Sequence, residues 1–244
     1  MTQKKHEIQK KILEKFLYTP TLSYSQIWDK TLCSSSLFDY HFQQLVTNEL
    51  ICKKDSIYTI TSKGSQWLTE VDGKTLEVTQ KPVACAFVLV HNIKENTVLL
   101  SIRKKQPYFD TINIVGGKIE YGETSLDAAK RELFEETGIT AQNLELRLIT
   151  ENQTVVLDDN NAIEHSIIGF FYYTTDFSGT LISKTREGEN IWIRPENIAK
   201  YPQFPDIPFI TSHILSKKPC ISAFIQRVKD KDTFVDVKIT KNSS

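Results

Sequence analysis

Residues 116–139 read GGKIEYGETSLDAAKRELFEETGI, and the rest of the chain is organised around them. Glu123 follows the paired glycines, and Arg131 opens the run Arg131-Glu132-Leu133-Phe134-Glu135-Glu136-Thr137-Gly138-Ile139. Thr124 suits a helix N-cap, and Gly138 suits the left-handed position that ends a helix. The pattern therefore predicts a glycine loop leading into a helix that begins at Ser125. On that helix Glu132, Glu135 and Glu136 fall at i, i+3 and i+4, so their carboxylates share one face about a turn long. Like charges packed that closely repel, and folding alone gives no reason to collect them. A bound divalent cation turns the repulsion into coordination, and an all-oxygen donor set suits Mg²⁺ or Mn²⁺.

The stretch resembles the Nudix box, the signature of Nudix hydrolases, with every defined position filled. The resemblance implies an α/β/α sandwich. It also implies hydrolysis of a nucleoside diphosphate linked to another group, with metal ions held by the glutamates. Carried onto this sequence, it makes Glu135 and Glu136 metal ligands and the Gly117 carbonyl a further metal contact. Glu132 is either a third ligand or the base that acts on water. Arg131 orients Glu123 and the box helix by pairing with it, and Glu123 is structural because it precedes the helix. Gly116 and Gly117 border the substrate. Arg186-Glu187-Gly188-Glu189, ahead of Trp192, resembles the loop that supplies a late glutamate in triphosphate-cleaving members. Glu187 is the first choice for that group and Glu189 the second, a solvated charged loop being the alternative. Arg103 closes a strand leading toward the box and resembles a phosphate-contacting arginine, against the alternative of an exposed strand end.

Departures from the family pattern narrow the substrate. Val115 stands where Pro often precedes the glycines. Thr154-Val155-Val156 lacks the proline that suggests ADP-ribose cleavage, and the tyrosine that suggests dinucleoside polyphosphates is missing too. What remains looks most like the pyrophosphohydrolases that cut a (d)NTP to the monophosphate and pyrophosphate. Tyr108, Phe109 and Phe171 are candidates for stacking a base, with core packing as the alternative.

The chain's 244 residues suit two domains. Thirty basic residues balance thirty acidic ones, which removes any molecule-wide electrostatic pull toward nucleic acid or membrane. Cys33, Cys52, Cys85 and Cys220 form no C-x-x-C pair, so reduced thiols in a cytosol are expected rather than disulfides or a zinc site. MTQKKHEIQKK lacks the apolar core of a signal peptide, and the longest apolar run, Val83 to Val90, is too short to span a bilayer. A cytoplasmic location without membrane association is the expectation.

Before the box domain, apolar residues at helical spacing predict an amphipathic helix over 4–17, closed off by Pro20. Ser23-Tyr24-Ser25-Gln26 is a capping-box pattern for a short helix through Lys30. Ser34 to Ser36 cap another, with Leu37, Phe38, His41, Phe42, Leu45 and Val46 on its apolar face and an end near Asn48. Ile51–Lys54, Asp55-Ser56 and Ile57–Thr61 signal a hairpin, and a last helix fits from Ser62 to Val71. Helix, helix, helix and hairpin resemble a winged helix-turn-helix domain. That resemblance implies a reading helix whose outward side chains are Ser35, Ser36, Asp39, Tyr40, Gln43 and Gln44, with Lys53 and Lys54 on phosphates, so double-stranded DNA is a candidate partner. Against it, residues 1–79 hold ten lysines, no arginine and nine acidic residues, a net of +1, where DNA binders carry a basic surface. Dimerisation or protein contact is the competing role. His6 and His41 read as surface and core residues, not ligands.

In the second half, strands are expected at Val83–His91, Thr97–Arg103, Ile112–Val115, Leu144–Glu151, Ile163–Thr174 and Asn190–Arg194. Helical segments are expected at Pro195–Lys200 and Ile207–Leu215, and a hairpin over Ile221–Thr240 forms an added edge or a dimer contact. The fold class is α+β: a winged helix domain over 1–75, a linker over 76–82, a Nudix sandwich over 83–219 and a C-terminal extension over 220–244. Two functions compete, a metal-dependent enzyme and a nucleotide-sensing transcription regulator. Regulators of this kind commonly lose box glutamates and carry the DNA-binding unit after the Nudix domain. Here the box is intact and the order is reversed, which favours the enzyme.

Overall fold

A computed structural model describes residues 2–16, 19, 21–69, 81–104, 108–157, 162–186, 188–216, 218–231 and 233–242. The chain divides into two compact units, Met1–Gln80 and Lys81–Ser244. Residues 76–80 of the expected linker over 76–82 lie outside the described residues.

The first unit runs α1 (Thr2–Glu14), β1 (Thr21–Ser23), α2 (Tyr24–Ile27), α3 (Ser35–Thr47), β2 (Ile51–Lys54), β3 (Ile57–Ile60) and α4 (Ser62–Thr69). Its three strands form an antiparallel sheet in the order β1-β3-β2. Ile12, Leu13 and Phe16 from α1 and its end join Phe38, Phe42 and Leu45 of α3 in one core with Leu22, Ile27, Ile51 and Tyr58. α1 and α2 stop short of their expected ends. After Glu14 the chain tightens into i→i+3 bonds, Phe16 N–H to the Leu13 carbonyl among them. α2 stops at Ile27 because Trp28 turns extended, with ψ 133°, and packs edge-on to Phe38. Leu37 does not belong to the buried stripe of α3. Phe38, His41, Phe42 and Leu45 occupy the i, i+3, i+4 and i+7 positions, which leaves Leu37 one step round the helix and exposed. The hairpin turns at Asp55, whose φ of 59° is left-handed.

The second unit contains β4 (Val83–Asn92), β5 (Thr97–Arg103), β6 (Ile112–Lys118), α5 (Ser125–Thr137), β7 (Ile139–Ala141), β8 (Glu145–Val156), β9 (Ile163–Thr174), β10 (Phe177–Gly179), β11 (Gly188–Ile193), a 3-10 helix (Pro195–Lys200), α6 (Ile207–Leu215), β12 (Ile221–Asp230) and β13 (Thr233–Asn242). Eight strands form one mixed sheet in the order β11-β5-β6-β4-β9-β8-β12-β13, while β7 and β10 pair separately. β4–β9 and β8–β12 are parallel. On one face Ala128, Ala129 and Leu133 of α5 pack on Ala86, Val88, Val90, Leu99 and Val115. On the other, Ile207, Ile210 and Ile214 of α6 pack on Leu89, Leu100, Ile112, Ile114 and Leu148. A helix on each face of a sheet is the α/β/α arrangement.

One expectation changes here. The glycine pair is not in a loop: β6 continues through Gly116 and Gly117 to Lys118, paired with Phe87, Ala86 and Cys85 of β4. The C-terminal hairpin takes the added-edge place expected of it: β12 lies parallel to β8 from Ile221 to Lys229 and sends Ala223 and Ile225 into the core. The tail thus widens the sheet by two strands. Short β1, β7 and β10 were not foreseen, since three residues carry no readable alternation.

Candidate active site

α5 begins and ends as its sequence demands. Thr124 Oγ1 accepts from the Asp127 N–H at 3.2 Å, and Gly138 sits at φ 71° with its N–H on the Phe134 carbonyl. At the far end of β6, Gly116 has φ 148°, and a Cβ there would lie 2.1 Å from the Ala86 carbonyl oxygen. A Cβ on Gly117 would lie 2.5 Å from Glu132 Oε1. The first glycine therefore permits strand contact. The second leaves room for a carboxylate to lie against the backbone.

The glutamates of α5 do not simply stand side by side. Glu132 is directed onto Gly117, and Glu136 Oε2 accepts from the Gly116 N–H at 3.2 Å. Glu135 is more exposed, at 57% for its side chain, and accepts from Arg131 Nη1 at 3.1 Å. Arg131 is the hub. It donates to Glu123 through Nε and Nη2, both at 2.9 Å, to Glu132 Oε1 at 2.8 Å and to the Lys118 carbonyl at 3.0 Å. These bonds, Glu123 first, raise the Arg131 pKa above its ordinary value. The same guanidinium, followed by the Glu120 N–H, holds the Glu123 carboxyl below the usual carboxylate range. Burial pushes the thiol of Cys85, opposite Lys118 in the sheet, up to about 11.

The remaining sites divide. Arg103 is the last residue of β5 and pairs with Gly188, so it borders the loop that precedes β11. Glu187, the first choice for a late carboxylate, lies outside the described residues. Glu189 sits inside β11 opposite Ile102. Strand alternation puts it on the same face as Ile191 and Ile193, which pack into the α6-side core, across the sheet from α5. Asn190, its neighbour, faces α5: Nδ2 donates to the Glu136 carbonyl at 2.7 Å and to the Ile182 carbonyl at 2.8 Å. Asn190 escaped the sequence reading because one amide in a strand forms no pattern. Phe171 is core, stacked on Phe87 at 4.7 Å, because it faces inward beside Leu148. Phe109 is exposed, and Tyr108 is half-buried among aromatic rings.

In the first unit Ser35, Ser36, Asp39, Tyr40 and Gln43 are exposed on α3 and Gln44 is half-buried. Lys53 and Lys54 are exposed on β2. Asp39 accepts a hydrogen bond from the Tyr24 hydroxyl. His41 is buried.

Among the described residues no three His, Cys, Asp or Glu side chains stand at metal-holding spacing, since Arg131 lies between Glu132 and Glu135. The donor chemistry fits a hard divalent cation all the same. The groups are all oxygen, and the missing Cβ of Gly117 lets the Glu132 carboxylate lie against the Gly117 backbone.

A family model for the Nudix domain matches residues 81–211. The chain belongs to the Nudix family. It is 31% identical over 90 residues to an uncharacterized Nudix hydrolase, YvcI, of Bacillus subtilis, a match covering 37% of this chain and 55% of that protein. It is 30% identical to an 8-oxo-dGTP diphosphatase of Haemophilus influenzae over 52% of this chain and 85% of that one. A mouse oxidized purine nucleoside triphosphate hydrolase matches at 23% identity over 65% of this chain and 96% of its own. In structure, a MutT protein from Bacillus halodurans superposes with a TM-score of 0.55 at 24% identity, over 64% of this chain and 97% of that chain. That likeness concerns the Nudix fold. Nudix hydrolases generally use divalent metals, and no helix among the described residues is long and apolar enough to cross a membrane.

Proposed function

We propose that the chain is a pyrophosphohydrolase of nucleoside triphosphates, dependent on Mg²⁺ or Mn²⁺, releasing the monophosphate and pyrophosphate. The observation that carries this is the meeting of Glu132 and Glu136 with Gly116–Gly117, where one helix and one strand bring carboxylates against bare backbone. Two relatives named for triphosphate hydrolysis support the substrate class. Glu132, Glu135, Glu136 and the Gly117 carbonyl would hold the cation. When bound, it neutralises phosphoanhydride charge and lowers the pKa of water. Arg131 keeps Glu132 in place through Nη1 and fastens the loop after β6 through Glu123 and Lys118. Glu132 either serves as a ligand or takes the proton from the attacking water at its carboxylate. Arg103 steadies the phosphates, and Glu187 supplies a late carboxylate. The test is pyrophosphate release from the common (d)NTPs and 8-oxo-dGTP with Mg²⁺ or Mn²⁺. No turnover of any of them defeats the proposal.

A second role belongs to residues 1–75, read as a winged helix domain. The order of three helices and a hairpin and the small antiparallel sheet support that reading, and the exposed Ser35, Ser36, Tyr40, Gln43, Lys53 and Lys54 supply a surface for duplex DNA. The Tyr24–Asp39 bond and the near-neutral charge favour dimerisation or protein contact instead. A gel shift on duplex DNA at low salt separates them, because absence of binding removes the DNA-binding reading.

A further inference from the structure

We propose that the C-terminal hairpin, acting through Tyr108, positions residues 108–111, the described end of the β5–β6 connection, and with them Arg103 at the substrate end of the site. The inference rests on Arg103 as a phosphate contact, as above. Arg103 is bonded to the residues that precede β6: the Arg103 N–H donates to the Thr111 carbonyl at 2.9 Å, and the Asp110 N–H donates to the Arg103 carbonyl at 2.7 Å. Tyr108 and Asp110 hold left-handed φ values of 66° and 64°. Non-glycine residues keep such a backbone only where the surroundings over-determine it.

At Tyr108 the hairpin supplies part of those surroundings, beside Phe204 and Glu164. Phe234 of β13 stacks on the Tyr108 ring at 5.6 Å, and Phe204 meets it edge-on at 4.8 Å. The Lys229 ammonium lies 5.6 Å over the same ring. Lys229 is buried, donates to both oxygens of Glu164 at 2.9 Å, and Glu164 Oε2 also accepts from the Tyr108 hydroxyl at 3.3 Å. The β12–β13 register shifts between Val228 and Lys229, the kind of bulge that re-aims a side chain. Arg227 seats the hairpin by a two-point bond to the fully buried Asp206, at 2.7 and 2.6 Å. None of these residues belongs to the glutamate helix, so Tyr108 acts as a positioning residue.

The test uses the full chain and four variants: Phe234→Ala, Tyr108→Ala, Tyr108→Phe and, as a control on the exposed side of β13, Val235→Ala. Amide exchange is followed at Arg103 and Asp110, and steady-state kinetics are measured with the triphosphate that the wild type hydrolyses. Phe234→Ala and Tyr108→Ala are expected to lose about tenfold protection at both amides and to raise KM about tenfold, with kcat within about threefold. Tyr108→Phe keeps the stacking and is expected to restore both readouts, and Val235→Ala to match the wild type. Wild-type protection and KM in both alanine variants overturn the inference, as does a fall in kcat alone. A wild type that hydrolyses no triphosphate defeats the proposed function, and exchange then decides the hairpin's part by itself: unchanged protection overturns it.

Discussion

α3 and α5 are both thirteen residues long, and both bury one apolar stripe against their own unit. Their other faces differ. α3 shows Ser35, Ser36, Asp39, Tyr40 and Gln43 to solvent, residues that any exposed helix tolerates. α5 carries three carboxylates that would repel, and the structure resolves them around one arginine and two glycines. A face arranged at an electrostatic cost points to chemistry. A face of ordinary polar residues points equally to DNA, to a protein or to water. This is why the enzyme reading is sharp and the role of the first unit stays open to experiment.

The largest effect that sharpens the contrast is on rate. Glu132→Gln and Glu136→Gln are each expected to lower kcat by about 10²-fold or more, with thermal unfolding nearly unmoved, measured by pyrophosphate release and calorimetry. Full turnover in either variant would reduce α5 to a solvated face like that of α3. The glycines should part in kind. Gly117→Ala drives a methyl into the Glu132 carboxylate, costing about 10- to 100-fold in rate while the fold survives. Gly116→Ala meets backbone, so it should cost roughly 1–3 kcal/mol or more in urea unfolding.

Much of this contrast was legible in advance. The box helix, its cap and its terminator follow from Thr124 and Gly138, and the strands from Val83, Thr97 and Ile163 start where their apolar runs begin. Three things were not legible. β6 runs through its glycines because the close approach to Ala86 is a tertiary contact that no local pattern records. Arg131 binds Glu132 as well as Glu123 and Glu135: i, i+4 spacing announces Glu135, but no spacing rule announces the adjacent Glu132. The parallel seat of β12 beside β8 is a long-range pairing, and through it Lys229 and Phe234 reach the Tyr108 ring.

Smaller effects test the edges of the comparison. Asn190→Ala removes the buried amide that donates to the carbonyls of Glu136 and Ile182, so it should cost about 1–3 kcal/mol in denaturant unfolding. In the first unit, Lys53→Ala with Lys54→Ala should leave turnover within about twofold. If that unit binds duplex DNA, the same pair should reduce the salt slope of binding by about 2. The smallest effect concerns acid. Glu123 has a folded pKa below its unfolded one, so its pairing stabilises above the ordinary carboxylate range and is lost as pH falls through the lowered value. Glu123→Gln should therefore melt earlier than the wild type at neutral pH, and the two melting curves should converge in acid.

The most direct measurement is pyrophosphate release by the full chain, wild type against Glu136→Gln, over a panel of nucleoside triphosphates with Mg²⁺, with Mn²⁺ and with chelator. The account predicts turnover only with a divalent ion, at least about a hundredfold slower in the variant. Equal rates in the two proteins, or turnover that persists in chelator, would contradict it.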